Sequence, residues 1–222
     1  MDFVLTYSII AKKGKQYGVG TITASIAVGG FVHHALPNQI VSATQGFYTN
    51  HLYNYWAEEL LKDQKLTQVL NRIIEKDPNS NYRQFILMDK QGNTAGWTGG
   101  SNDSFCGHIL KKNLAVAGNR LVGRHVLESM VSAYECSKNS DFVEQIIDSL
   151  EAGVLAGGDK QGAISIALRV VSEDLPPCDL RVDCSEIGVI TDIRKLYSYY
   201  TANSYQEFVK SIPTINNPHK AG

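Results

Sequence analysis

Apolar and polar residues alternate along the chain with a period that changes several times, and each change marks an element. Residues 3–13 and 16–28 are rich in β-branched and aromatic side chains and meet at Gly14-Lys15. A glycine followed by almost any residue is the signature of a two-residue type II′ turn, so the pattern predicts a hairpin. That turn sets Lys13 opposite Gln16, Ser8 opposite Thr21 and Thr6 opposite Thr23. Strand side chains alternate, so Thr6, Ser8, Thr21, Thr23 and Ser25 share a hydroxyl-bearing face, while Leu5, Tyr7, Ile9, Ile22, Ala24 and Ile26 line a core face.

A further strand is predicted from Ile40 to Gln45, after which the period becomes helical. Leu52, Trp56 and Leu60 recur every fourth residue, and Leu66, Val69, Leu70, Ile73 and Ile74 follow the i, i+3, i+4, i+7, i+8 rule. Asp77-Pro78-Asn79-Ser80 stops this pair, and Gln84 to Asp89 with Thr94 to Thr98 reads as a second hairpin across Lys90-Gln91-Gly92-Asn93. Leu114 to Ala117 is a short strand. Val126, Leu127, Met130, Val131 and Tyr134 mark a third helix, and Asp141 with Glu144 resembles a capping box opening a fourth that Gly157-Gly158 ends. Ala163 to Val171 and Leu180 to Asp183 read as strands, and Ile187 to Tyr200 as the last helix.

Strands therefore come in hairpins and helices in consecutive pairs, which favours antiparallel sheets over a parallel one. Stacking two sheets and covering each with helices buries every apolar face, so the expected fold is α+β: a four-layer α/β/β/α sandwich of two mainly antiparallel sheets. The chain has 222 residues and no linker composition, so residues 1–212 are expected to form a single domain with a loosely held tail at 213–222.

Charge narrows the partners. Lys and Arg total 21 against 22 Asp and Glu, so no net field draws the chain to nucleic acid or an anionic membrane. No apolar stretch approaches the roughly 20 residues of a membrane helix. The start, Met1-Asp2-Phe3, lacks a signal-peptide pattern, and four cysteines without a CxxC pair suit reduced thiols, so a cytoplasmic location is expected. Neither His33-His34 nor Cys106-Gly107-His108 has metal-ligand spacing, and no metal or cofactor is expected. Outer helix pairs are a surface through which sandwich domains commonly form homodimers.

The order Thr6-Tyr7-Ser8-Ile9-Ile10-Ala11, Gly18-Val19-Gly20, Ala24-Ser25, Ala43-Thr44-Gln45, Tyr82-Arg83-Gln84 and Gly118-Asn119 resembles the family called domain of unknown function 1028. Gly157-Gly158-Asp159-Lys160-Gln161-Gly162, Ser165 and Asp179-Leu180-Arg181-Val182-Asp183 continue the likeness to about Tyr200. Members resemble the N-terminal-nucleophile (Ntn) hydrolases in fold, enzymes that cleave amide bonds. The resemblance implies an amide hydrolase acting on a small amide or peptide-like substrate, with Thr6 as nucleophile. An N-terminal threonine can supply its own base, because an α-amine with a pKa of about 7.7 to 8.0 can take the hydroxyl proton near neutral pH.

Asn119 and Gln45 are then the candidates for holding the oxyanion, and Thr21, Thr23 and Ser25 for lining the site. Arg83 could bind a substrate carboxylate or pair with an acid such as Asp77. Asp159 could hold an amine or cap a turn. This sequence departs from the family pattern in placing Met1-Asp2-Phe3-Val4-Leu5 before Thr6, so catalysis requires that the Leu5–Thr6 bond be cut. A non-catalytic binding or structural protein that keeps the sandwich is the alternative, and a hydrolase using Ser25 or Cys106 a third.

Overall fold

The structure is a computed structural model that describes residues 5–102, 105–158 and 162–220. Ten strands are described: β1 (Thr6–Lys13), β2 (Gln16–Thr23), β3 (His33–Leu36), β4 (Ile40–Gly46), β5 (Arg83–Asp89), β6 (Thr94–Thr98), β7 (Phe105–Lys111), β8 (Leu114–Leu121), β9 (Ser165–Val171) and β10 (Cys178–Val182). Six α-helices accompany them: α1 (Leu52–Leu60), α2 (Leu66–Lys76), α3 (His125–Cys136), α4 (Phe142–Gly153), α5 (Val189–Tyr200) and α6 (Asn203–Ser211).

Six strands form one sheet in the order β10-β9-β2-β1-β8-β7, and four form a second in the order β3-β4-β5-β6. Every ladder among the described residues is antiparallel. The first hairpin has the expected register, with Lys13 facing Gln16 and Thr6 facing Thr23. Gly14 has φ 58° while Lys15 stays at negative φ, as a type II′ turn requires.

Three apolar layers separate four layers of structure. Tyr7, Ile9 and Ile22 on one face of the larger sheet pack with Leu127, Met130, Ile146, Leu150 and Ile193 of α3, α4 and α5. Ile10, Val19, Ala115 and Ala167 on its other face meet Val41, Ala43, Ile86 and Met88 of the smaller sheet. Phe85 and Leu87 on that sheet's outer face meet Tyr53, Ala57, Val69 and Ile73 of α1 and α2. Each large apolar side chain removed from water contributes about 1.5–3 kcal/mol. The α+β four-layer sandwich is the observed fold. The hydroxyl face of the hairpin is therefore not a surface patch, because it looks into the gap between the sheets.

Gly18 and Gly20 make room for α4. A Cβ on Gly20 would lie 2.7 Å from Ile146 Cγ2 and 2.8 Å from Leu150 Cδ1, and one on Gly18 would run into Ile146 Cδ1. What these glycines admit is a helix's side chains. The Asp141 carboxylate starts α4 by accepting from the N–H groups of Val143 (2.8 Å) and Glu144 (3.0 Å). The capping box is not reciprocal, because Glu144 accepts from Arg194 Nη1 of α5 at 2.7 Å.

Several elements differ from expectation. β2 stops at Thr23, not near residue 28: Ala27 is left-handed at φ 57°, and the chain leaves the sheet with Ser25 and Ile26 exposed. Ile26 thus falls outside the core face assigned to it. β8 runs to Leu121, so Gly118 and Asn119 lie inside a strand, not at the end of one. Strands β3 and β7 and helix α6 were not anticipated. Among the described residues no helix is long and apolar enough to cross a membrane.

Candidate active site

Ser165, Thr23, Thr6 and Asn119 are successive cross-strand partners on β9, β2, β1 and β8. Opposed residues share a face, so these four side chains form a polar row across the end of the larger sheet. All four are buried, Thr6 least so at 9% exposure. The row looks toward the smaller sheet, since Ser8, Ile10, Val19, Ala115 and Ala117, of the same strand parity, face it too.

Within the row the hydroxyl protons are ordered. Thr23 Oγ1 donates to the Leu5 carbonyl at 2.7 Å, so its single proton is committed. Thr6 Oγ1, 3.0 Å from Thr23 Oγ1, is therefore the donor of that pair. The Leu5 carbonyl, which belongs to the Leu5–Thr6 peptide bond, also accepts from Ala24 N at 3.4 Å. Ser165 Oγ donates to the Ser25 carbonyl at 2.6 Å and accepts from Val28 N at 3.2 Å, closing the end of β2 onto β9.

Asn119, opposite Thr6 on β8, is 1% exposed, yet neither its Nδ2 nor its Oδ1 has a hydrogen-bond partner. An unpaired buried polar group costs about 1–3 kcal/mol, so native proteins rarely keep one without a reason. Among the described residues Asn119 alone leaves two such atoms unpaired.

The smaller sheet contributes two amides. Gln45, on β4, accepts from Ser8 Oγ at 2.6 Å through Oε1, and its Nε2 donates to the Thr6 carbonyl (3.1 Å) and to Gln84 Oε1 (2.7 Å). Gln84, its cross-strand partner on β5, directs the two protons of Nε2 at the carbonyls of Gly107 (2.9 Å) and Gly118 (3.0 Å), with Thr98 Oγ1 also 3.0 Å from that nitrogen. Thr21 Oγ1 lies 2.8 Å from Ser8 Oγ and 3.4 Å from the Tyr7 carbonyl. Thr98 Oγ1 reaches His108 Nδ1 at 2.9 Å. Burial, and then the nearby Arg124 charge, hold the His108 imidazole below its ordinary pKa.

The structure thus gathers Thr6, Thr21, Thr23, Gln45 and Asn119, and it leaves two other candidates apart. Ser25 is exposed beyond the end of β2. Arg83 holds Asp77 Oδ2 at 3.0 Å through Nε and the Tyr48 carbonyl at 2.7 Å through Nη1. Asp159, like residues 1–4, lies outside the described residues. Cys106 is half-buried, and burial pushes its thiol up, away from a reactive thiolate. Among the described residues no group of three His, Cys, Asp or Glu side chains could hold a metal ion.

Gln84 is the residue that sequence reasoning passed over. The available signal was a glutamine just before the apolar run Phe85 to Met88 of β5, at a strand parity shared with Ile86 and Met88, where an amide can be tolerated only if its groups are paired. An open cavity of about 950 Å³ lined by Asn38, Glu58, Lys65 and Lys90 lies at the opposite end of the sheets, by the β5–β6 turn. It shares no residue with the Thr6 row.

Three comparisons bear on this arrangement. The model for a family of unknown function, DUF1028, matches residues 6–191. No curated protein matches the chain. Among solved structures, protein SPO2555 from Silicibacter pomeroyi, described under the same family, is 27% identical; the match covers 98% of this chain and 99% of that one, with a TM-score of 0.92. Anbu, the ancestral beta-subunit from Yersinia bercovieri, is 10% identical over 93% of this chain and 98% of its own, with a TM-score of 0.42. An Anbu Gly-1 mutant from Hyphomicrobium sp. strain MC1 is 13% identical over 92% and 98%, with a TM-score of 0.43. Likeness that distant transfers no chemistry to this chain.

Proposed function

Since the chain belongs to the DUF1028 family, whose function is unknown, we propose an activity from its own geometry: an amide hydrolase of the Ntn type acting on a small amide or peptide-like substrate. The observation that carries this reading is the Asn119 amide, buried beside Thr6 with both polar atoms unpaired. An amide kept in that state at a cost of about 1–3 kcal/mol per group is suited to a ligand that pairs it.

Thr6 becomes competent when the Leu5–Thr6 bond is cut, which frees its α-amine. The amine then takes the Thr6 hydroxyl proton as Oγ1 attacks the substrate carbonyl carbon, and Asn119 Nδ2–H donates to the oxygen that gains charge. Collapse breaks the substrate C–N bond, the departing amine takes the proton from the Thr6 ammonium, and water then hydrolyses the Thr6 ester. Gln45, whose two N–H protons are already committed to Thr6 and Gln84, serves by holding the Thr6 carbonyl. Thr23 orients the nucleophile through the 3.0 Å hydroxyl pair. Four free cysteines suit the reducing cytoplasm we assign to the protein.

The test does not need the natural substrate. A β-lactone that acylates N-terminal threonines should add its mass to a peptide beginning at Thr6, and Thr6→Ala should abolish the adduct. Acylation elsewhere, or none in folded protein, contradicts the reading.

A second reading, a binding protein that keeps the sandwich without the chemistry, is favoured by one feature. Leu5 is buried and its carbonyl is held by Thr23 and Ala24, as suits a chain that stays continuous through the Leu5–Thr6 bond. That reading expects full-length protein and a Thr6→Ala variant that binds as the wild type does.

A further inference from the structure

We propose that Gln84 is a positioning residue of the Thr6 site, acting from the smaller sheet to fix Thr6 and Asn119 relative to each other. This rests on the amide-hydrolase reading and extends it to a residue that touches neither substrate nor nucleophile. Gln84 is fully buried on β5, and its amide reaches β8 directly and β1 through Gln45. Its Oε1 accepts from Gln45 Nε2, which also donates to the Thr6 carbonyl on β1. Its Nε2 donates to the carbonyl of Gly118, the residue before Asn119 on β8.

The direction of this chain is determined from both ends. The carbonyls of Gly107 and Gly118 can only accept, so the Gln84 nitrogen must face them. Its oxygen then faces Gln45, which must present its nitrogen and leave its own oxygen to the Ser8 hydroxyl. From the other end, the Thr6 carbonyl can likewise only accept, so Gln45 must turn its nitrogen toward it, which requires the same orientation. Thr98 Oγ1, 3.0 Å from Gln84 Nε2 and 2.9 Å from His108 Nδ1, lies at the edge of this chain.

A chain with one allowed direction locks both amides. Neither Gln45 nor Gln84 can flip without setting a nitrogen against donors and an oxygen against carbonyls. Displacement of a catalytic group by about 1 Å can cost 10²-fold in rate, so a device that fixes the separation of Thr6 and Asn119 acts on the rate of reaction and leaves substrate affinity alone.

The experiment measures β-lactone acylation of purified protein, reading the limiting rate and the half-saturating concentration separately. Gln84→Met keeps the length and removes both functions of the amide. It should lower the limiting rate at least about 10-fold while the half-saturating concentration stays within about twofold. Gln84→Glu, which has no donor for the two carbonyls, should not rescue it. Equal limiting rates in folded Gln84→Met and wild type overturn this role alone, whereas a wild type that resists acylation overturns the hydrolase reading and this role with it. Should Gln84→Met fail to fold, the side-chain amide protons of Gln45 and Gln84 in the wild type decide: strong protection from hydrogen exchange supports the chain, and exchange at the rate of a free amide overturns it.

Discussion

Asn119 and Thr6 form a pair in which one side chain gives up stability that the other can use. If the unpaired Asn119 amide is kept for a ligand, Asn119→Leu removes two unsatisfied atoms and should leave the fold as stable or stabilise it by about 1 kcal/mol. Acylation at Thr6 should fall by about 10²–10³-fold, the size expected for a lost oxyanion donor. Urea denaturation and probe kinetics on one preparation check both halves, and a loss of several kcal/mol would give Asn119 a structural role instead. Thr6 and Thr23 were legible as partners because the turn fixes the register of their hairpin, whereas Asn119 entered through the family resemblance, since the pattern ends its strand at Ala117 and β8 runs on to Leu121. The role of Gln84 was not legible, since the sheet that faces it is set by packing and not by any local pattern.

Among the elements, the hairpin β1–β2 could be read to the residue because its turn chemistry fixes the register. Its far end could not. Ala24 to Val28 continue the apolar pattern of a strand, and only the left-handed Ala27 shows that the chain has turned away. β3 is four residues beginning His33-His34, too short for a period to register. β7 is half-buried along most of its length and irregular between Phe105 and Gly107, which blurs its alternation. In α6 only Val209 is buried, so no apolar stripe announces it. At the end of β4, Gly46 has φ 126°, and a Cβ there would lie 2.6 Å from the Tyr82 carbonyl oxygen and 2.9 Å from Gln84 N. Gly46→Ala should therefore cost about 1–3 kcal/mol in urea unfolding and slow acylation by displacing Gln45. Unchanged values in both would contradict the placement of β4 against β5.

Across the whole molecule the four layers were legible, because hairpins and helix pairs leave few ways to bury every apolar face. The consequences of stacking for buried charge were not. His33 of β3, packed in the sandwich near Asp179, Arg169 and Arg181, is pushed down to about 4, chiefly by burial. Its folded pKa lies below the ordinary 6.5, so its contribution is fully present above about pH 6.5 and is lost as pH falls toward 4. His33→Gln should flatten the pH dependence of unfolding free energy in that window, and an unchanged slope would contradict it. Asp77 adds a second, lower window. Burial would raise its carboxyl, but hydrogen bonds from Asn79 N, Arg83, Asn50 and Tyr53 outweigh that and bring it below the usual value. Stability from Asp77 is present above about pH 3.9 and lost below it, so wild type and Asp77→Asn should converge in stability as pH falls below 4.

The central claim is that Thr6, with a free amine, is the nucleophile beside the Asn119 amide. Mass spectrometry of the N-terminal peptide, after exposing purified protein to a β-lactone, tests it most directly. The predicted result is a peptide that begins at Thr6 and carries the acyl group on that residue. A peptide continuous through Leu5–Thr6 and free of the acyl group would contradict it.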